Sequence, residues 1–331
     1  MADHTPHADR EGLTFASSDG SSTIHAWVWW PEGAWQGRPR GVVQVVHGMA
    51  EHVLRYDELA RDLAAAGFVV AGDDHIGHGA SCPRERHGCL PAADGADCLV
   101  EDERKLRALV QAQVPTGTPH VLFGHSLGSY ITRVYCARHG GGLAGAVICG
   151  TGTVAPALSH AGHALARALA ATRGEDYRSK LVDGMGVGAY AKDFADEGPY
   201  AWISANPANV AAYEADPDCG FMFTVGGYCA VTALTGEACS PACAERVPHD
   251  LPLLFVAGAE DPVGDHGAGV REAARLAQDA GSTDVRVHIY EGLRHEILNE
   301  GPEAHARVVA DVLAWLDDVA PAPADAPADA G

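Results

Sequence analysis

Basic residues are scarce in this 331-residue chain: Lys and Arg number 23 against 44 Asp and Glu, a formal charge of −21. A field of that sign repels phosphate backbones and anionic bilayers, which argues against nucleic acid as a partner. No apolar run approaches the roughly 20 residues that span a bilayer, so no transmembrane segment is expected. Met1 to Gly12 is polar and lacks the basic stretch and apolar core of an export signal, so the expected location is cytoplasmic. The nine cysteines are odd in number and scattered, and reduced thiols follow from that expectation. Cys239 and Cys243, with Cys219 and Cys229 upstream, lack the tight paired spacing of a metal cluster, so no metal is expected. No internal repeat is present.

What the chain does have is strand and helix in alternation. Leu13-Thr14-Phe15 and Ile24 to Trp30 flank Asp19-Gly20, the signature of a hairpin at a sheet edge. Gly41 to Val46 and Phe68 to Gly72 read as strands buried on both faces. Arg55 to Ala66 carries apolar residues at helical spacing, and Leu99 to Val114 reads as a charged amphipathic helix. Then come the strand His120 to Phe123, a helix from Leu127 to Arg138, and the strand Ala144 to Cys149. The alternation breaks at Gly150 and resumes with a strand Leu251 to Gly258, a helix near Val270 to Ala280, a strand Val285 to Tyr290 and a helix Pro302 to Val319. A mostly parallel sheet covered by helices on both faces is the expected architecture. The expected organisation is a flexible N-terminus (1–11), a core in two parts (12–150 and 251–319), an inserted, mainly helical cap (151–250) and a disordered Pro-Ala-Asp tail (320–331).

The chemistry centres on Gly124-His125-Ser126-Leu127-Gly128, where an apolar strand turns directly into a helix. That corner holds a serine in a strained conformation with its hydroxyl exposed above the sheet, and the glycines sit where strand and helix backbones come closest. A serine hydroxyl needs a base, and the base needs an orienting group. Asp261 and His295 each follow a strand that ends at the same edge of the sheet, and the order Ser, Asp, His is the one α/β hydrolases use. Glu260 and Asp265 are the competitors for the acid. The oxyanion donors expected are the backbone amides of Leu127, directly after the serine, and Met49, in the loop after the Gly41 strand. Such a site needs no cofactor.

The chain resembles the monoacylglycerol lipase and lysophospholipase-like group of α/β hydrolases, also filed under a serine-aminopeptidase-like domain. The matching segments are His47-Gly48-Met49-Ala50-Glu51-His52 with Arg55-Tyr56, then Asp74-His75-Ile76-Gly77-His78-Gly79-Ala80-Ser81, and the serine motif itself. Gly258-Ala259-Glu260-Asp261-Pro262-Val263 and Tyr290 to Glu300, around His295, follow in the family's order. Ser129 departs from the glycine common after the motif. The resemblance implies an α/β-hydrolase fold with a cap over the serine, a triad of Ser126, Asp261 and His295, and oxyanion amides of Met49 and Leu127. It also makes His75 and His78 part of a structural loop beneath the site. Phe221, Met222, Phe223 and Tyr228 are candidate lining for the substrate, or alternatively the cap's own core. Leu158, Leu165 and Leu169 make a stripe expected to seat a cap helix on the sheet domain, with at most peripheral membrane contact.

Three readings stay open at this point. The first is a serine hydrolase of carboxylic esters, with monoacylglycerols, lysophospholipids or short-chain esters as the small acyl-ester partner. The second is an aminopeptidase-like amide hydrolase on the same triad, which needs an acidic pocket for a free amine; Glu51, Asp193 and Glu197 are generic candidates. The third is a ligand-binding protein that has kept the fold without turnover.

Overall fold

The Asp19-Gly20 turn joins β1 (Glu11–Ala16) to β2 (Thr23–Trp29), paired antiparallel with Glu11 opposite Val28. This computed structural model describes residues 10–31 and 38–322. The expected flexible terminus and disordered tail fall mainly on 1–9 and 323–331, outside the described residues; of their remainder, Glu11 belongs to β1 and Ala320 is buried. The apolar runs form β3 (Val42–Val46), β4 (Val69–Asp74), β5 (His120–His125), β6 (Gly145–Cys149) and β7 (Leu253–Gly258), every residue of which is buried. With β8 (Val285–Tyr290) they make an eight-stranded sheet in the order β1-β2-β4-β3-β5-β6-β7-β8. Pairing is parallel from β4 to β8, and β2 joins β4 antiparallel.

Side chains alternate across the pleat and sort the helices onto two faces. Leu122, Ile148 and Phe255 point toward α2 (Gly95–Gln111), α3 (Leu127–His139) and, further along the chain, the helix Ala268–Asp279. Their sequence neighbours Phe123, Val147 and Val256 point the other way, toward α1 (Asp57–Ala65) and the final helix Pro302–Val319, whose Val308, Val312 and Trp315 cover that face. Gly145 admits this last packing, because a Cβ there would strike the Trp315 indole.

Between β6 and β7 the chain leaves the sheet for α4 (Pro156–Arg173), α5 (Lys180–Met185), α6 (Pro207–Ala215), α7 (Val225–Ala238) and α8 (Pro241–Ala244). The two helices named above after β7 and β8 are α9 (Ala268–Asp279) and α10 (Pro302–Val319). Leu165 and Leu169 of α4 pack against the cluster on the α3 face, but Leu158 is 63% exposed, so the expected stripe is seated over only part of its length. Phe194, Trp202, Ile203 and Tyr213 form a separate small core inside this excursion.

Two boundaries differ from the expected ones for physical reasons. β4 runs on through Asp73 and Asp74, read from the sequence as loop, because β2 supplies partners for both. α2 begins at Gly95 rather than Leu99; Gly95 lies against Ala230 of α7, a contact without periodic signature in the sequence. All nine cysteines are free thiols, and burial pushes the Cys136 thiol up to about 12. Among the described residues no helix is long and apolar enough to cross a membrane.

Candidate active site

Ser126 stands between β5 and α3 with φ 54, a left-handed value that a non-glycine residue adopts only under constraint. Its backbone N–H donates to the Cys149 carbonyl at 3.0 Å, which ties the corner to the end of β6. The flanking glycines are steric requirements. A Cβ on Gly124 would overlap Thr132 Oγ1 and the Gly128 carbonyl, and one on Gly128 would overlap the Val46 carbonyl. Gly128→Ala is therefore expected to destabilise the fold by about 3 kcal/mol, measured as a shift in the urea midpoint against wild type. Ser129, where the family often has glycine, turns its hydroxyl back onto the Ser126 carbonyl at 2.6 Å.

His295 and Asp261 meet directly. His295 Nδ1 lies 2.9 Å from Asp261 Oδ2, with Asp261 fully buried and His295 3% exposed. The other carboxylate oxygen, Asp261 Oδ1, accepts the Val263 amide at 2.9 Å and fixes the carboxylate plane. His295 Nε2 is buried and makes no hydrogen bond within the described protein. The imidazole sits against Gly150, one residue past Cys149, and its ring centroid is 4.7 Å from that of His125, the residue before Ser126. Neither competitor for the acid pairs with His295. Glu260 faces Arg294 at 3.8 Å, and Asp265 sits in a positive-φ turn.

The loop after β3 closes over the serine, and a Cβ on Gly48 would be 3.0 Å from Ser126 Cβ. This loop is pinned by a hub that sequence reasoning passed over. Glu51 Oε1 accepts the Gly48 amide at 2.5 Å and the Tyr56 hydroxyl at 2.8 Å. Tyr56 in turn meets His125 Nδ1 at 2.7 Å, and His125 Nε2 donates to the His295 carbonyl at 3.2 Å. Arg55 bridges Glu51 at 3.3 Å and Glu296 at 2.5 Å. One buried carboxylate thus holds the loop before the serine, the strand end carrying it and the segment carrying His295. Burial opposes its charge, and the hydrogen bond from His125, with Arg55 beyond it, outweighs that and lowers Glu51 to about 2. The signal in the sequence was the Glu51-x-x-x-Arg55-Tyr56 spacing, which brings the three groups together at the turn into α1.

The β6–β7 excursion touches the same loop. The Ala50 carbonyl, at φ 55, accepts the Tyr213 hydroxyl and the Gly220 amide, both at 2.9 Å. The Trp202 ring lies 5.2 Å from the His295 ring, a neighbour that periodicity could not have indicated. Of the expected substrate-lining residues, Phe221 and Phe223 stack at 5.9 Å and set their edges against His78. Phe223 is fully buried, Tyr228 donates to Asp183 Oδ1 at 2.7 Å, and Met222 gives its carbonyl to Arg178.

A mostly parallel wound sheet with a serine at a positive-φ strand–helix corner, and a His–Asp pair on neighbouring strand ends, defines an α/β hydrolase. The family model described as "Serine aminopeptidase, S33" matches residues 37–302, and the chain belongs to that family. Its relatives include a monoacylglycerol lipase of Mycolicibacterium smegmatis, 32% identical over 312 residues, covering 93% of this chain and 97% of the relative. Human monoglyceride lipase is 26% identical over 287 residues, 85% of this chain and 83% of its own. Among solved structures, a thermostable carboxyl esterase from Bacillus coagulans in complex with glycerol superposes with a TM-score of 0.86 at 31% identity, covering 94% of this chain and 99% of that one. A monoglyceride lipase variant from Saccharomyces cerevisiae shares the fold at a TM-score of 0.75 and 18% identity, over 96% of this chain and 98% of that one.

Proposed function

We propose that this carboxylic ester hydrolase cleaves monoacylglycerols, lysophospholipids or similar acyl esters through an acyl-enzyme formed on Ser126. The observation that carries the reading is the 2.9 Å contact between His295 Nδ1 and buried Asp261, which leaves Nε2 as the nitrogen available for proton transfer. Nε2 takes the Ser126 proton as the hydroxyl attacks the ester carbonyl, and Asp261 stabilises the imidazolium that results. The tetrahedral oxyanion is held by the amides of Met49 and Leu127, each donor worth ~3 kcal/mol of barrier. The imidazolium returns its proton to the leaving alcohol, and a water, deprotonated by the same nitrogen, releases the acid. No cofactor enters.

Residues 151–250 act as a cap that selects the acyl or alcohol part, with Trp202 over the imidazole. Phe221 and Met222 are the lining candidates that remain partly exposed. Leu158, Leu181 and Met185 expose apolar side chains on the same segment, a surface suited to peripheral contact with aggregated lipid.

An aminopeptidase needs an unpaired carboxylate for the substrate amine, and two of the three candidates are engaged elsewhere. Glu51 is occupied by Gly48, Tyr56 and Arg55, and Glu197 is held by Arg294 at 3.0 Å. Asp193 lies 3.8 Å from His266. A panel of 1-monoacylglycerols, lysophospholipids and p-nitrophenyl esters run beside aminoacyl anilides tests this. Ester turnover is expected to exceed anilide turnover by about 10²-fold or more in kcat/KM. A preference for anilides would overturn the ester reading.

A further inference from the structure

Behind the oxyanion loop lies a second cluster of acids and imidazoles that the acyl-transfer steps do not use. His47, on the loop after β3, is fully buried, and both ring nitrogens are committed. Its Nε2 accepts the backbone N–H of His75 at 3.0 Å, so that nitrogen carries no proton. The proton is therefore on Nδ1, which donates to the Gly48 carbonyl at 2.8 Å. The Gly48–Met49 peptide is planar and trans, so a carbonyl fixed on the His47 side points the Met49 N–H the opposite way. Among the described residues the Met49 amide has no backbone acceptor, and the Gly48 Cα faces Ser126.

His47 is held in turn by His75. The two rings stack at 3.8 Å, and His75 Nε2 donates to the His47 carbonyl at 3.1 Å. The far nitrogen, His75 Nδ1, faces Asp73 Oδ1 at 3.2 Å and Glu103 Oε1 at 3.4 Å. With one ring nitrogen donating to a carbonyl and the other facing two carboxyls, His75 is placed to take a second proton. Asp73, His75 and Glu103 are all buried, and both Asp73 oxygens and Glu103 Oε1 have no conventional hydrogen-bond partner. Two adjacent buried carboxyls cannot both ionise. Burial first, and then Asp73, push the Glu103 carboxyl well above its usual range. Burial opposes charge on His75, but Asp73 outweighs it and raises the imidazole. Gln44, the one polar residue of β3, anchors it by donating to Glu103 Oε2 at 2.5 Å. His78 and Asp74 are the other titratable groups against His75. His78 lies edge-on at 5.8 Å and is kept neutral by burial, while the Asp74 carboxylate takes the amides of Val53 and Ala80.

We propose that Asp73, His75 and Glu103 form a buried relay of contacts that seats the His75 imidazole against His47, and that His47, through its Nδ1–H on the Gly48 carbonyl, aims the Met49 amide at the oxyanion. His47 and His75 are then positioning residues, and the inference rests on the reading of the Met49 amide as an oxyanion donor. A relay of this kind stabilises the tetrahedral species more than bound substrate, which distinguishes it from a merely structural network.

The test uses the full chain and two ligands: a trifluoromethyl ketone, whose adduct on the serine carries the oxyanion, and an inert amide analogue of substrate, which does not. Asp73→Asn is expected to lower kcat/KM for p-nitrophenyl butyrate roughly 10–100-fold and to weaken the ketone by a similar factor. The amide analogue should keep its affinity. Glu103→Leu should act in the same direction, and Glu103→Gln should restore most of the loss, because its amide N–H can donate to Asp73. That pair decides the matter if Asp73→Asn does not fold. Lost turnover with unchanged ketone affinity would overturn the relay, as would Leu and Gln at position 103 behaving alike. Stoichiometric divalent metal in the purified protein, lost in Asp73→Asn, would also overturn it by assigning the three groups to an ion. A wild-type enzyme that fails to bind the ketone would instead overturn the serine mechanism on which the relay depends.

Discussion

Ser126→Ala is expected to lower kcat/KM for p-nitrophenyl butyrate by roughly 10⁵-fold or more while leaving the melting temperature within a few degrees of wild type. The two halves of that expectation have separate physical causes. In the proposed mechanism the hydroxyl is the atom that becomes acylated, so its loss would remove the covalent route and leave only what the oxyanion amides and substrate binding contribute. Its contribution to stability is small, because no described hydrogen bond of the fold uses Ser126 Oγ. Alanine at φ 54 carries the same backbone strain as serine, and the neighbours that enforce it, Gly124 and Gly128, are unchanged. Paired steady-state kinetics and thermal unfolding check both halves. A variant that retains more than about one part in 10³ of the activity would place the nucleophile elsewhere.

His295→Ala should cost a comparable factor, and the double variant with Ser126→Ala should lose almost nothing further, since groups that act as a unit are not additive. Asp261→Asn should cost roughly 10⁴-fold, because an amide facing Nδ1 favours the wrong tautomer of the base. Stability separates these variants from the serine one. Asp261 is fully buried, and in His295→Ala its Oδ2 is left without a hydrogen-bond partner, a loss of about 1–3 kcal/mol. Equilibrium unfolding in urea would show it. Full additivity in kcat/KM between the serine and histidine variants would mean that the two residues serve different steps.

Much of this architecture was legible in the sequence, for a reason visible in particular residues. The strands β3, β5, β6 and β7 are short apolar runs buried on both faces, and that pattern has few other uses. Ser126, Asp261 and His295 stand out as candidates in the sequence because chain order and strand ends constrain them, and the His–Asp contact requires only that two adjacent strands end level. The excursion between β6 and β7 was far less readable. Its short helical turns, such as Val187–Phe194 and Ala201–Ile203, are arranged by contacts to distant residues: Glu296 N–H reaches the Ile203 carbonyl, and Arg294 reaches Ala201. No local periodicity encodes a contact of that kind. The Glu51 hub and the Asp73–His75–Glu103 cluster were missed for a related reason. A charged residue in sequence reads as surface, and only the fold reveals that Glu103, on an otherwise charged helix, points into the core.

Peptide mapping after treatment with a fluorophosphonate asks whether Ser126 is the residue that becomes acylated. One adduct is expected, on the peptide containing Ser126, abolished in Ser126→Ala and slowed by orders of magnitude in His295→Ala. An adduct on any other residue, or no adduct on an enzyme that hydrolyses esters, would contradict that assignment.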